Sequence, residues 1–267
     1  MNCPYRCVTQ GTTTMQLNGK VGLVTGAAHR VGKAIALALA REGVSIAVHY
    51  GGSEQAARDT VAEIKTLGVD AFSVQADLRD PAQIDRLFET VAERFGRLDV
   101  LVNSAASFTK QPFDEISVDD WKDAFQTNLR APFLCTQRAA RLMRSVTDRP
   151  ADQPAAIVNI ADLSGIYPWH GYTQHGVSKA GIIHLTKVSA YELGPEIRVN
   201  AIAPGAILPP PGLSLDRWAD FGDRLPLKRT GSPDYVGQAV VFLAQNDYIT
   251  GALIPVDGGE HLVGTLK

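Results

Sequence analysis

Cysteine is scarce: three in 267 residues, too few for a disulfide framework. Cys3 and Cys7 have no histidine or second cysteine pair nearby, and Cys135 lies in an apolar helical run. That spacing fits no usual zinc pattern, so no metal site is expected, and Cys135 reads as a small packed hydrophobe. Excess positive charge is also missing. There are 26 Lys and Arg against 28 Asp and Glu, a formal net charge of −2, with no dense basic run. A general nucleic-acid or polyanion surface is therefore excluded. No apolar run approaches the roughly 20 residues of a spanning helix. Residues 1–16 are polar and Thr-rich and lack the apolar centre of a signal peptide. They read as a flexible tail, with Met15 as a candidate start because the fold pattern begins right after it. The expectation is a cytoplasmic protein with no membrane and no nucleic-acid partner.

What the chain does have is alternation. A hydrophobic share of 45% suits one large α/β domain over 17–267. Short apolar runs at 21–25, 44–50, 71–75, 98–103, 156–160, 197–203 and 253–256 read as strands. Between them, amphipathic runs at 30–41, 53–67, 81–95, 118–146, 172–193 and 233–244 read as helices, with Ser53 capping the second. The strands lack apolar–polar alternation, which means burial on both faces. Such a series specifies a doubly wound parallel sheet, a Rossmann-type three-layer sandwich. The Pro-rich stretch Leu208–Gly212 and the residues after it, as far as Gly231, interrupt the rhythm beyond a strand's carboxyl end, where open α/β sheets bind ligands. Residues 206–231 therefore read as a substrate lid.

The turn Thr25-Gly26-Ala27-Ala28-His29-Arg30-Val31-Gly32 joins the first strand to the first helix. Gly26 permits a tight turn, Gly32 permits close helix–sheet packing, and the helix start offers N–H groups to a pyrophosphate. An ordinary βα turn would look similar. Further marks come in order along the chain: Asp77-Leu78, Leu101-Val102-Asn103-Ser104-Ala105-Ala106, Asn128, Arg198-Val199-Asn200, Ala203-Pro204-Gly205, Thr250-Gly251 and Val256-Asp257-Gly258-Gly259. With these marks the chain resembles the short-chain dehydrogenase/reductase family over nearly all of residues 18–263. Arg30, in place of the middle glycine of Thr-Gly-x-x-x-Gly-x-Gly, resembles the pteridine reductases of that family. Ser104 and Ala106 depart from the family's Asn-Asn-Ala-Gly segment.

The resemblance implies a nicotinamide dinucleotide held by Gly26, His29, Arg30, Val31 and Gly32. Asp77 and Leu78 would cap the adenine, Asn103 would lie beside the ribose, and Pro204 and Gly205 would lie beside the nicotinamide. The second strand ends Val48-His49-Tyr50-Gly51-Gly52-Ser53 with no acid. A carboxylate there would repel a 2′-phosphate, so its absence favours NADP(H), with Arg30 and Ser53 as phosphate donors. On the plainer reading, Arg30 and His49 are solvated surface residues.

In Gly171-Tyr172-Thr173-Gln174-His175-Gly176-Val177-Ser178-Lys179, Lys179 matches the family's ribose-holding lysine. His175 stands where the family has its proton-donating tyrosine, and Asp162 falls on the position of the family's serine. Pteridine reductases share that aspartate but keep the tyrosine. Free imidazole titrates near ~6.5 against ~10 for a phenol, so an Asp162–His175–Lys179 cluster suits proton transfer near neutral pH. Three plainer readings stand beside it: His175 facing solvent while Asp162 and water act, Tyr172 as donor or pocket frame, or a dead site. Asn128 matches the active-site asparagine that keeps a water chain, and Ser164 reads as structural. Phe108 resembles the aromatic that stacks a pterin. Trp169 and Trp218 read as pocket, core or interface.

The reading is an NADPH-dependent reductase of a small-molecule substrate, either a pterin-like C=N or a carbonyl. The alternatives are a carbonyl reductase like the 3-oxoacyl-carrier-protein reductases, or a nucleotide-binding pseudoenzyme with a regulatory role. Segments 118–146 and 172–193 resemble those through which family members assemble, so a homotetramer is expected.

Overall fold

In the computed structural model, which describes residues 14–150, 153–210 and 212–263, seven parallel strands form one sheet. They are β1 (Val21–Val24), β2 (Ser45–Tyr50), β3 (Ala71–Gln75), β4 (Val100–Asn103), β5 (Ala155–Ile160), β6 (Ile197–Pro204) and β7 (Leu253–Val256). Their order is β3-β2-β1-β4-β5-β6-β7. The order reverses between β1 and β4, and a crevice opens there at the carboxyl edge. β1, β4 and β5 are buried along their whole length, as a strand covered on both faces must be.

Helices cover both faces. On one side α1 (Arg30–Arg41), α2 (Glu54–Lys65) and α8 (Pro233–Gln245) pack on a core that includes Ile35, Leu39, Val48 and Val240. On the other, α3 (Pro81–Phe95), α5 (Ala131–Arg144) and α6 (Thr173–Leu193) pack on a core that includes Leu87, Leu101, Cys135 and Ile157. The local chemistry explains the helix ends. Asp80 accepts from Ala82 N–H, Pro81 opens α3, and Gly96 closes it at φ 70°.

Several details differ from the sequence expectation or add to it. Met15, assigned to the tail by its polar neighbours, is buried, and its N–H donates to Gln245 O at 2.9 Å. An apolar side chain beside an uncovered helix end gains from burial whatever flanks it. Cys3, Cys7 and most of the expected tail lie outside the described residues. The long helical region expected over 118–146 is present without a gap as far as Arg144, built from α4 (Val118–Phe125), a π-helical turn over Gln126–Arg130 that the sequence did not announce, and α5. Pro132 sits in the first turn of α5, where its missing N–H would break a continuous ladder. Ser53 precedes α2 without a hydroxyl cap bond. The segment expected as a lid contains a helix, α7 (Leu215–Asp223), whose first turn Ser214 caps. A final short helix, α9 (Glu260–Val263), comes after β7. Among the described residues no helix is long and apolar enough to cross a membrane, and no cluster of His, Cys, Asp or Glu could hold a metal.

Candidate active site

Two glycines set the reaction centre. β5 ends at Ile160, and Asp162 then caps a short 3-10 turn over Leu163–Gly165, accepting from Ser164 N–H at 2.7 Å. A Cβ on Gly165 would lie 2.7 Å from Lys179 C, and one on Gly176 would lie 2.9 Å from Ser164 O. Only with both side chains absent can this turn seat against the start of α6. The seating brings Asp162 to His175 and Lys179, which lie one helical turn apart.

His175 is 2% exposed, which excludes the solvent-facing reading. Its Nδ1 lies 2.9 Å from Ser107 O. A carbonyl only accepts, so Nδ1 carries a proton. Nε2 then lies 3.6 Å from Asp162 Oδ2 with no hydrogen-bond partner. That distance is too long for a hydrogen bond but still within reach of an ion pair. A second proton on Nε2 converts a contact between two acceptors into an attraction. Burial pushes the Asp162 carboxyl up, but the His175 imidazole and the Ser164 N–H outweigh it and leave Asp162 below the ordinary aspartate value.

Lys179 donates to Ile160 O at 2.7 Å. Burial pushes its ammonium down to about 8, against the pull of Asp162. Asn128, buried in the π-helical turn, accepts from Ser107 N–H at 2.7 Å and donates back to Ser107 O at 3.0 Å and to Ser178 Oγ at 3.1 Å. The widened turn thus aims Asn128 at the Ser107 loop beyond β4 that orients His175, a use typical of π-bulges. Phe108 stacks on Tyr172 with centroids 4.6 Å apart and meets His175 edge-on at 4.7 Å. Burial, with Asp162 adding, raises the Tyr172 hydroxyl above the ordinary phenol value. Trp169 packs on Tyr172, whereas Trp218 stacks on Phe221 within α7. Ser164 Oγ is buried without a partner.

The cradle lies at the other end of the crevice. Gly26 takes φ 66°, and a Cβ there would press on Ala105 Cα at 2.9 Å; a Cβ on Gly32 would overlap Gly26 O. Arg30 has φ 55°, a left-handed conformation that explains why a glycine suits this position. His29 and Arg30 are exposed, and the first turn of α1 holds no acid. Val31 packs on the core. Ser53 is half-buried, and Gly51 and Gly52 beside it are exposed. Asp77 is ion-paired with Arg79 at 2.9 Å, and that contact holds its carboxyl below the ordinary value; Leu78 is buried. Asn103, expected beside the ribose, directs its side chain inward instead, donating to Asn159 Oδ1 at 2.8 Å. Pro204 ends β6 and Gly205 comes next.

Sequence reasoning missed three residues. His49 is buried, not solvated. Its Nδ1 accepts from Gly26 N–H at 3.1 Å and its Nε2 donates to Ala76 O at 3.0 Å. Burial pushes its pKa down to about 4 against that bond, so it is a neutral brace beneath the loop. Thr25 Oγ1 accepts from the Ser104 and Ala105 N–H groups and ties that loop to the end of β4. Glu260 accepts from Ala206 N–H. Only Thr25 carried a signal, through its place in the motif.

The family profile described as Enoyl-(Acyl carrier protein) reductase matches residues 26–261. The chain belongs to the short-chain dehydrogenase/reductase family. It is 37% identical over 248 residues to the 3-oxoacyl-[acyl-carrier-protein] reductase FabG of Staphylococcus aureus, covering 91% of this chain and 98% of that one. Among solved structures it is similar to FolM alternative dihydrofolate reductase 1 from Brucella canis, complexed with NADP. Identity there is 31% and the TM-score 0.84, over 92% of this chain and 96% of that one. It is also similar to a blue fluorescent protein from a metagenomic library in complex with NADPH, at 34% identity and a TM-score of 0.82, over 92% and 99% of the two chains. This short-chain reductase therefore has the fold of an NAD(P)-dependent oxidoreductase, with a buried carboxylate–imidazole pair at its reaction centre.

Proposed function

We propose that this protein is an NADPH-dependent carbonyl reductase acting on a 3-oxoacyl-type substrate, with His175 as its proton donor. The observation that carries this reading is the His175 geometry, with Nδ1 fixed on Ser107 O and Nε2 turned to Asp162. The likeness to the Staphylococcus aureus reductase supports the substrate class. The cradle fits the nucleotide, because the space left by the absent side chains of Gly26 and Gly32 and the acid-free start of α1 suit a pyrophosphate. His29, Arg30 and Ser53 would hold a 2′-phosphate. Val31 would act through its backbone, and Asp77, Leu78 and Asn103 would flank the adenosine. Lys179 would hold the nicotinamide ribose, with Pro204 and Gly205 as the facing wall.

NADPH, when bound, supplies the hydride accepted by the carbonyl carbon. The carbonyl oxygen takes its proton from His175 Nε2, giving an alcohol. Asp162 holds the imidazolium before transfer, Lys179 adds positive potential, and Asn128 fixes Ser107 and thereby the ring. Residues 206–231 would close over the substrate.

Asp162 and the Phe108–Tyr172 stack favour a second reading, in which a flat pterin-like ring is reduced at C=N. Offset stacking and a carboxylate acceptor would hold such a ring. The apolar groove lined by Trp121, Phe125, Leu129, Phe133 and Leu185, about 460 Å³, would be covered by a second copy in a homotetramer.

The test is NADPH consumption with a 3-oxoacyl thioester, diketones and dihydropterins. Turnover of the thioester or diketones supports the first reading, and turnover of dihydropterin alone supports the second. Nucleotide binding without turnover of any substrate makes the protein a nucleotide-binding pseudoenzyme.

A further inference from the structure

One part-buried contact outside the Asp162–His175–Lys179 centre joins three elements at the carboxyl edge. Glu260, the first residue of α9, accepts from Ala206 N–H through Oε2 at 3.0 Å. The approach depends on Gly205, since a Cβ there would lie 2.6 Å from that same oxygen and 2.6 Å from Asp257 Cβ. Ala206 is also the base of the 206–231 segment, because its carbonyl accepts from Gly231 N–H at 2.8 Å. The far limb of the segment rests on the same corner, with Leu227 N–H donating to Gly258 O at 3.2 Å. Asp257 shapes the corner by accepting from the N–H groups of Gly259 and His261. Ala206 thus joins the end of β6 to both ends of the segment, and Glu260 is the only side chain bonded to its amide among the described residues.

We propose that Glu260 is a positioning residue, holding the Pro204–Ala206 wall and the base of the 206–231 segment in one arrangement through the Ala206 amide. When the Glu260 carboxyl is ionised this bond is charge-assisted and stronger than a neutral one. The carboxylate is half-buried, and burial pushes its pKa up to about 7 against the Ala206 bond, with Asp257 and Asp162 pushing the same way as burial. The effect on nucleotide rests on the reductase reading; the effect on the segment does not.

The test compares Glu260→Ala and Glu260→Gln in the full chain, reading hydrogen exchange over 204–214, trypsin cleavage at Arg217, and NADPH affinity by fluorescence. Glu260→Ala is expected to speed exchange and cleavage by about tenfold, the scale of one lost charge-assisted bond, and to weaken NADPH binding similarly. Glu260→Gln, whose amide oxygen still accepts, restores both to within about threefold of the parent. The proposal is overturned if Glu260→Ala leaves exchange and cleavage at parental rates, even with a lowered Tm, or if Glu260→Gln is as defective as Glu260→Ala. If the parent fails to bind NADPH, the reductase reading falls, while the exchange comparison still decides the role of Glu260.

Discussion

At the scale of single residues, the arrangement turns on which nitrogen of His175 holds a proton. Ser107 O takes Nδ1–H, so only Nε2 is left to exchange a proton with Asp162 or a substrate. Lys179 gives the same centre a measurable signature. Its pKa is pushed down to about 8 by burial, against about 10.4 for a free lysine. Below pH 8 both folded and unfolded chains hold the proton, and burial of the ammonium costs stability in full, about 3 kcal/mol for such a shift. From pH 8 to about 10.4 the folded chain has released the proton while the unfolded chain keeps it, so stability rises with pH. Lys179→Met removes the cost at every pH. Its stability advantage in urea unfolding should shrink by about 3 kcal/mol between pH 7.5 and 10.5, and a constant difference would refute the assigned burial.

Arg30 offers a second residue-scale test. Relieving its left-handed backbone with glycine gains roughly 1 kcal/mol, and the added freedom of the unfolded chain costs roughly as much. Arg30→Gly should therefore leave stability within about 0.5 kcal/mol while weakening NADPH about tenfold more than NADH, the scale of a lost charge-assisted contact. Equal loss for both nucleotides removes Arg30 from the phosphate site.

At the scale of elements, the seat of the 163–165 turn on α6 is decisive. Gly176→Ala adds a Cβ 2.9 Å from Ser164 O, so the turn and Asp162 must shift. Alanine gains about 1 kcal/mol in helix propensity, which offsets part of the packing cost. Turnover should fall at least about tenfold with only a small change in Tm, as expected when a catalytic group is misplaced. An unchanged rate means the turn does not set Asp162. This level was only partly legible. The Asp162, His175 and Lys179 positions came from the family resemblance, and the structure brings them together. The π-helical turn at 126–130 did not, because Pro132 is compatible with an ordinary helix start as well as with a π-helical turn. Nor did α7, whose Pro-rich approach conceals a capped helix. His49 and Glu260 depend on partners 23 and 54 residues away, and no local pattern encodes those distances.

At the scale of the whole molecule, the fold was almost fully legible. Doubly buried strands alternating with helices leave few alternatives once crossovers are right-handed, and the observed strand order is one of them. The proposed association rests on a different kind of observation, apolar side chains left exposed on the folded chain. Trp121 is 39% and Phe133 46% exposed beside the α4–α5 groove. Phe133→Glu should lower the oligomer mass measured by light scattering while leaving the monomer fold intact, since a charge in an interface core is costly. An unchanged mass places the contact elsewhere.

The most direct measurement is chemical rescue of His175→Ala with imidazole, monitored as NADPH-dependent reduction of a 3-oxoacyl thioester. A lost general acid should cost about 10²–10⁴-fold in rate. The buried space vacated between Ser107 and Asp162 should admit free imidazole and recover part of that loss, with a rescue that tracks the imidazolium concentration. A variant that turns over at the parental rate without imidazole would contradict His175 as the proton donor.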